Sequence, residues 1–468
     1  MKIIILVLFI FSMKSSGCSS DSNIIFVYEH VRHGARSPLF ADGNKNYIDH
    51  FGTKWEGPST LTAIGKRTHY ILGIQNRIKY SSLINFSKLD SKEIQIFSTN
   101  SVRTLQSIQA ELQAMYLPGT LEPLTEEELE VAYPPIENLP FRVFEEIKKL
   151  NHSTIINGIN VFPIQFSSPK KLRLNEPQYC PYMSKYQSNL ESKMKKEIDE
   201  FLKSFDKKYG EKLQKYFNMT NRDFMYDFDF IELIMADEFI CNYYQGNNLS
   251  DFTAKTDIDI KEFFNYTQQI KNFYIFHINI DEQTGVMAAS PQMKEIINYM
   301  DNIIKKNSQT PKIVIHGGHD TTINCIQYFM KYAFKIPITY IPFAANIYFE
   351  LHKNESNNHY YVEYIFDGVS LLTLNYPDFK SKVLESIWSE EKINDFCYIE
   401  EENKYENDID FEKYKSISLI LLITNSVFVI LTAVFMSLFI YYCKKSKNFR
   451  YSIEINDSIL DRADKENN

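Results

Sequence analysis

The sequence predicts an α/β fold, with a mostly parallel central sheet, helices on both of its faces and an inserted, mainly helical cap subdomain. Short β-branched runs alternate with stretches of helical periodicity before and after the middle of the chain, which is the pattern of a parallel sheet. A long middle stretch, rich in Lys and Glu, interrupts this alternation. In addition, an uncharged apolar stretch near the C terminus predicts a single transmembrane helix.

The first part of the α/β core is predicted over residues 18–133. Residues 23–30 are an apolar run that predicts a buried strand, and residues 61–80 repeat Leu and Ile at three- and four-residue steps, as a helix does. Residues 93–98 predict a second strand, and residues 102–115 predict a helix that ends before a Pro-Gly pair. This order is the βα pattern of a parallel sheet.

A change of character over residues 134–276 predicts the cap insertion. This stretch begins with two prolines and contains long Lys- and Glu-rich helical segments, such as residues 186–217. The alternation resumes in residues 277–400, the second part of the core. There the sequence predicts helices and strands in turn: helix 291–306, strand 312–316, helix 321–332, and strands 346–351 and 360–366.

The two ends of the chain predict a single-pass type I membrane protein. Residues 1–17 have the positive start, short apolar core and small-residue exit of a secretory signal peptide; the alternative is a buried strand or helix. An acidic linker, residues 401–415, precedes residues 416–443, which are uncharged and long enough to cross a bilayer. Residues 444–468 begin with several lysines, so the positive-inside rule predicts a cytoplasmic tail and a lumenal or extracellular core.

Composition and sequons fit a globular domain that passes through a glycosylating compartment. The chain has 44% hydrophobic and 24% charged residues, and its formal net charge of -8 argues against a general nucleic-acid binder. Asn-x-Ser/Thr sequons in the part predicted to be lumenal indicate glycosylation at Asn85, Asn151, Asn218, Asn248, Asn265 and Asn354.

Four cysteines fall in the same part of the chain: Cys180, Cys241, Cys325 and Cys397. Four cysteines allow three different pairings. Because no CxxC or Cys/His ligand spacing occurs, structural disulfides are favoured over a metal site.

A phosphate-binding motif follows the first predicted strand. Residues 32–38 read Arg-His-Gly-Ala-Arg-Ser-Pro and stand at a strand end, where ligands bind in open α/β sheets. Phosphoryl transfer needs a nucleophile and positive charge around the phosphoryl oxygens. His33 is the candidate nucleophile, because a neutral imidazole can form a phosphohistidine. Arg32 and Arg36 are candidate phosphate-binding residues, and Gly34 would let the backbone approach the ligand.

Two further strand ends supply the remaining groups. Arg103 is at the start of the helix after the second strand, where free amide groups also favour an anion. His319 can donate to the phosphate, and Asp320 can protonate the leaving group. Singly, a His-Asp pair is more often a helix cap and an Arg a solvated charge, but three strand ends with the required groups favour catalysis. The histidines without such support are predicted to be structural or solvated: His30, His69 and His316.

These motifs resemble the histidine acid phosphatases, a branch of the histidine phosphatase superfamily that includes prostatic and lysosomal acid phosphatases. The resemblance rests on residues 32–38, on residues 98–105, and on His319 and Asp320 with the two threonines that follow. It implies a phosphoglycerate mutase-like core with a helical cap, a phosphohistidine intermediate, and no metal or other cofactor. It also implies the same roles for the residues assigned above: Arg32, His33, Arg36, Arg103, His319 and Asp320.

The resemblance extends to the cysteines and to the layout of the chain. Cys180 and Cys397 look like a disulfide pair of the animal members. Cys241 is similar to a family position whose partner is absent here, so it is expected to be free or paired with Cys325. The order of signal, lumenal domain, span and tail is similar to the lysosomal type, which implies a lysosome, a digestive vacuole or the cell surface.

Three functions suit these residues. The first is a membrane-anchored acid phosphatase for small phosphate monoesters, for which a homodimer is one allowed assembly. The second is a phytase or inositol-polyphosphate phosphatase, which shares the catalytic groups and differs in the cap. The third is an inactive receptor that binds a phosphorylated ligand. Such a receptor could lose His33 or Asp320, and both are present.

Overall fold

The computed structural model divides the chain into two units, Met1–Tyr398 and Ile399–Asn468. The predicted signal peptide, acidic linker, transmembrane helix and cytoplasmic tail lie outside the described residues. Within the described part, no helix combines the length and the hydropathy needed to cross a bilayer. The described residues, all in the first unit, are 22–39, 47–119, 123–132, 134, 141–155, 161–168, 174–221, 223–228, 230–278 and 280–398.

The strands of the described residues are β1 (Ser22–Arg32), β2 (Tyr47–Ile48), β3 (Lys54–Trp55), β4 (Ile94–Ser98), β5 (Gln165–Phe166), β6 (Ile313–Gly318), β7 (Asn346–Asn354), β8 (Tyr360–Phe366) and β9 (Val369–Asn375). Seven of them form one sheet in the order β5-β4-β6-β1-β7-β8-β9, and β2 pairs with β3 separately. The first four strands in that order are parallel, and antiparallel pairing adds β7, β8 and β9. The half of the sheet that contains β1, β4 and β6 is therefore parallel, and the other half is antiparallel.

Helices cover both faces of the sheet, and the alternation of β1 shows why. Phe26 and Tyr28 of β1 are buried in one hydrophobic cluster, whereas Val27 and Val31 are buried in another on the opposite face. The helices are α1 (Ala63–Lys79), α2 (Val102–Met115), α3 (Glu126–Val131), α4 (Phe141–Lys148), α5 (Met183–Phe205), α6 (Glu211–Tyr216), α7 (Glu238–Gln245), α8 (Ser250–Thr256), α9 (Ile260–Phe273), α10 (Glu282–Ile304), α11 (Asp320–Phe334), α12 (Tyr376–Ser386) and α13 (Glu390–Cys397). Residues of α2 belong to the second cluster, and residues of α10, α11 and α12 belong to the first.

Helices α5 to α9, with the π-helical segments Asp206–Gly210 and Phe230–Asp237, form a group named here the cap helices. They share a third hydrophobic cluster, in which aromatic rings are prominent. The same cluster includes Ala35, Trp55 and Phe343, which lie outside the cap helices. Apolar packing therefore joins the cap helices to the loops around the sheet edge.

The structure differs from the sequence prediction at several elements. The sequence predicts that helix α10 starts at Pro291, but the helix begins at Glu282 and contains Pro291. It starts earlier because the side chain of Asp281 caps the first turn by accepting from the Thr284 amide. Strand β5, within the stretch predicted as cap insertion, pairs with β4 of the central sheet. Strand β9 was not predicted; its residues are mostly exposed, so their pattern lacks a buried face.

The cysteines of the described region divide into one bonded pair and two thiols. Cys180 and Cys397 form a disulfide, which links the chain before α5 to the end of α13. Cys241 and Cys325 are buried and free. The pairing implied by the resemblance is present, and a bond between Cys241 and Cys325 is not.

The sequon asparagines lie at positions that a glycan could reach. Five of the six are exposed, and Asn354 is half-buried. Asn151 and Asn218 are in turns and have a positive φ, and Asn248 lies next to the start of α8. This placement is compatible with the predicted glycosylation.

Candidate active site

Three parallel strands end at one edge of the sheet and bring the predicted site residues together. Arg32 at the end of β1 is in register with Gly318 of β6, and Ser98 at the end of β4 is in register with Gly317. The residues that follow these ends line a pocket of about 250 Å³, together with residues of the cap helices. Five of the predicted residues line it directly: His33, Arg36, Arg103, His319 and Asp320.

Glycines let these strand ends approach their neighbours closely. A Cβ atom on Gly34 would lie 2.5 Å from the backbone oxygen of Gly65 in α1. A Cβ atom on Gly317 would lie 2.5 Å from Cγ1 of Ile108 in α2. The sequence predicts that Gly34 lets the backbone approach the ligand, whereas the structure shows that it lets the loop carrying His33 pack against α1.

The ring of His33 is buried and oriented by its own loop. Its Nδ1–H donates to the carbonyl oxygen of Gly34 at 2.9 Å, so Nε2 of the neutral ring keeps a lone pair. Burial, followed by nearby positive charge, holds the pKa of His33 well below its usual value of 6.5. The neutral, nucleophilic form of the imidazole therefore persists into acid pH.

Arg32 and Arg36 are buried and held by distant parts of the chain. Nη1 of Arg32 donates to the carbonyl oxygen of Ile341 at 2.6 Å, and its guanidinium lies 4.4 Å from the ring centre of Phe343. Both terminal nitrogens of Arg36 donate to the carboxylate of Asp237, at 3.0 and 2.9 Å. Neither Nε–H finds a hydrogen-bond acceptor within the described part of the chain. Of the two arginines, Arg36 lines the pocket directly, whereas Arg32 is not among its lining residues.

Arg103 and His319 contact each other at the pocket. Nη2 of Arg103 donates to Nδ1 of His319 at 3.2 Å, since a guanidinium can only donate. Nε2 of His319 then carries the hydrogen and lies 3.1 Å from Oγ1 of Thr99. Nη1 of Arg103 donates to Oγ of Ser59 at 2.8 Å. These bonds fix two of the predicted phosphate-binding groups side by side.

Asp320, the first residue of α11, forms an ion pair with Arg32. Its Oδ2 lies 2.6 Å from Nη2 of Arg32, and its Oδ1 accepts from the backbone amide of Thr321 at 2.9 Å. Burial alone would raise the pKa of Asp320, but the positive charges of Arg32 and Lys271 lower it overall. Pairing with Arg32 therefore favours the ionised carboxylate.

Comparison with known proteins identifies the family. Residues 23–367 match the family model of the histidine phosphatase superfamily, branch 2. The chain belongs to this superfamily. Prostatic acid phosphatase of Bos taurus is 23% identical over 329 residues, which cover 70% of this chain and 74% of that protein. Lysosomal acid phosphatase of Rattus norvegicus is 24% identical over 348 residues, covering 73% and 70% respectively.

Solved phytase structures share the fold of this histidine phosphatase superfamily member. The phytase of Citrobacter braakii has a TM-score of 0.53 at 13% identity, covering 78% of this chain and 98% of that one. The apo form of Hafnia alvei phytase has a TM-score of 0.52 at 12% identity, covering 80% and 98%. At such low identity the likeness establishes the fold alone.

The cap helices bring three charged residues to the site that the sequence prediction missed. Asp237 binds Arg36, and Lys271 and Glu232 line the pocket. All three are buried. They occur in no motif; the hint in the sequence is that Glu232, Asp237 and Glu238 interrupt the otherwise apolar run 230–241. An acid in such a run needs a buried partner, and the sequence does not say which.

The histidines predicted to be structural or solvated are all buried: His30, His69 and His316. Nε2–H of His69 donates to the carbonyl oxygen of Arg32 at 3.0 Å, and its Nδ1 lies 3.1 Å from Glu111. Burial raises the pKa of Glu111 to about 8 and lowers that of His69 to about 4. At acid pH a protonated Glu111 thus donates to the neutral His69, and the two support the backbone beside His33.

Proposed function

We propose that the chain is an acid phosphatase that hydrolyses small phosphate monoesters through a phosphohistidine intermediate. One observation carries the proposal: Nε2 of a buried, neutral His33 shares a pocket with arginines from separate strand ends and with the carboxyl group of Asp320. Membership of the superfamily and the similarity to two acid phosphatases support it.

The first chemical step forms the phosphohistidine. The arginines hold the phosphoryl oxygens and offset their charge, and His319 joins them when its Nδ1 is protonated and donates to the phosphate instead of accepting from Arg103. Nε2 of His33 attacks phosphorus, the bond between phosphorus and the ester oxygen breaks, and Asp320 gives its proton to the departing oxygen. The product is an alcohol and a phosphorylated His33.

The second step releases phosphate. Water attacks phosphorus on the side that the alcohol has left, and the ionised Asp320 accepts its proton. The bond between phosphorus and Nε2 breaks, which returns a neutral His33 and inorganic phosphate. Asp320 is protonated again and can serve the next cycle.

The charge of Asp320 accounts for the acid preference. A bound phosphate dianion accepts hydrogen bonds from Arg32 and places negative charge beside Asp320. The pKa of Asp320 is therefore higher with phosphate bound than in the ion pair with Arg32 alone. The active, protonated form is present at low pH and is lost as the pH rises through that pKa. Because the pKa of His33 is held low, both groups are in their active forms at acid pH.

The test is hydrolysis of p-nitrophenyl phosphate by the purified chain from acid to neutral pH. Wild type is expected to be most active at acid pH and to yield an acid-labile phosphoprotein when quenched during turnover. His33→Ala is expected to abolish both signals. The matched control is His359→Ala, because His359 is exposed in a turn and should tolerate replacement. A folded wild type without activity contradicts the proposal and favours the phosphate-binding receptor.

A phytase or inositol-polyphosphate phosphatase is the second candidate, favoured by the shared fold of the phytase structures. Two carboxylates among the pocket-lining residues, Glu176 and Glu232, weigh against it. Acidic groups beside the phosphate site suit a monoester better than a hexaphosphate. Turnover of phytate that exceeds turnover of small monoesters would reverse this preference.

The cellular arrangement is also a proposal. We expect cleavage after residues 1–17, a lumenal or extracellular catalytic region, a span over residues 416–443 and a cytoplasmic tail, in a lysosome, a digestive vacuole or the plasma membrane. The exposed sequon asparagines support a glycosylated lumenal region. Deglycosylation of the expressed protein should increase its electrophoretic mobility, and carbonate extraction should leave it in the membrane pellet.

A further inference from the structure

The cap helices place a lysine and a glutamate beside the proton donor. Lys271 is on α9, and Glu232 is in the π-helical segment Phe230–Asp237. Their exposed fractions are 8% and 1%, and the ammonium group of Lys271 contacts Oε1 of Glu232. Both line the pocket that contains His33 and Asp320. The pair is therefore on the side from which the cap helices meet the substrate.

The proposed two-step reaction does not use this pair. Nζ of Lys271 also lies 3.6 Å from Asp237, but both terminal nitrogens of Arg36 already bind that carboxylate. The direct contact of Lys271 is with Glu232, and its charge also acts on Asp320. Removing two charges from water is costly, so a buried pair is weak grounds for stability and suggests a role in binding.

A neighbouring ammonium and carboxylate match the chemistry of an alcohol. A hydroxyl group both donates and accepts hydrogen bonds, and a lysine ammonium only donates. Burial raises the pKa of Glu232 overall although Lys271 acts to lower it, and Glu232 accepts from a hydroxyl in its ionised form. A hydroxyl placed against the pair can therefore donate to Glu232 and accept from Lys271. A plain alkyl chain offers neither and would leave the pair without new partners.

We infer that Lys271 and Glu232 form a leaving-group subsite that selects phosphate esters of small polyhydroxylated alcohols, such as glycerol and sugars. The inference rests on the proposed phosphatase function and names its substrate class. Asp320, in the same pocket, protonates the ester oxygen, while the pair binds hydroxyl groups on neighbouring carbons. Bonds that persist into the transition state raise kcat/KM for such esters above that of their deoxy analogues.

The test compares two substrates of equal chain length, glycerol 3-phosphate and n-propyl phosphate, by the release of inorganic phosphate from the purified chain. Wild type is expected to prefer glycerol 3-phosphate by at least about tenfold in kcat/KM, the effect of one good hydrogen bond. Lys271→Met, Glu232→Gln and the double variant should bring this ratio close to one. The double variant removes both charges together and so avoids a buried unpaired carboxylate.

The matched control is Lys261→Met, since Lys261 is on the same helix and exposed. It should keep the wild-type ratio. The ratio is measured within one preparation, so partial unfolding of a variant cancels. A ratio that is the same in wild type and in all three pocket variants refutes the subsite alone. A wild type that hydrolyses neither ester refutes the proposed function and the subsite with it.

Discussion

At the scale of single residues, the surroundings of His33 change the chemistry of an ordinary imidazole. An exposed histidine is mostly protonated at pH 5 and cannot attack phosphorus. Burial and nearby guanidinium groups keep His33 neutral, and the bond from Nδ1–H to the carbonyl oxygen of Gly34 selects which nitrogen keeps the lone pair. The same arginines that are proposed to bind substrate thus also help to keep the imidazole of His33 neutral.

The role of Asp320 leads to a prediction about leaving groups. Asp320→Asn should lower kcat on alkyl phosphates by about 10²- to 10⁴-fold, because an alkoxide needs a proton to depart. The loss on p-nitrophenyl phosphate should be much smaller, since p-nitrophenolate leaves without one. Steady-state kinetics on both substrates measures the difference. Equal losses on the two substrates would contradict a role in proton donation.

Sequence reasoning was effective for residues in local motifs and failed for residues defined by distant partners. The motif groups could be predicted because each directly follows a strand, and parallel strands end together. Asp237 could not be assigned to Arg36, which is 201 positions away in the chain. Likewise, Lys271 reaches the pocket only because the cap helices pack over the sheet edge.

At the scale of elements, the predicted boundaries agree with the structure where the local sequence signal is strong. Helix α2 has the predicted bounds, because its apolar period is regular and a Pro-Gly pair follows it. Helix α10 begins nine residues before Pro291, because proline marks a helix start only statistically while Asp281 makes the actual cap. Strand β9 has no buried face to reveal it.

Strands β7 and β8 carry a buried charge cluster at some distance along the sheet from the pocket. Nε2 of His352 lies 3.3 Å from Glu350 and 3.5 Å from Glu363. Burial alone would lower the pKa of His352, but the two carboxylates raise it overall, and the pKa values of Glu350 and Glu363 are lowered. The cluster is therefore fully charged at mildly acid pH.

This cluster predicts a pH-dependent effect of His352→Gln. The pKa of His352 is higher in the folded chain, so its contribution to stability is complete below about pH 6.5 and is lost as the pH rises through the folded value. The variant should lower the free energy of unfolding by roughly 1 to 3 kcal/mol at pH 5 and by less at pH 9. Urea unfolding at the two pH values measures this. A loss that is equal at both would contradict the ion cluster.

At the scale of the whole molecule, the Cys180–Cys397 disulfide joins parts of the chain that are 217 residues apart. Replacing both cysteines by serine should lower the free energy of unfolding by roughly 2 to 5 kcal/mol, because the unfolded chain is no longer constrained. Denaturant unfolding with and without dithiothreitol provides an internal comparison. Reductant should bring wild type to the stability of the variant and leave the variant unchanged; a wild type insensitive to full reduction would contradict the prediction.

The ion pair between Arg36 and Asp237 limits how freely the cap helices can be exchanged, by design or in evolution. Arg36 is in the loop that carries His33, yet the carboxylate that holds it, Asp237, belongs to the cap helices. Grafting a foreign cap onto this core would remove that carboxylate unless the graft supplies an acid at the same place. Such a chimaera would lose reactivity as well as altering its selectivity. Cap and core are thus expected to have diversified as one unit rather than by exchange of interchangeable modules.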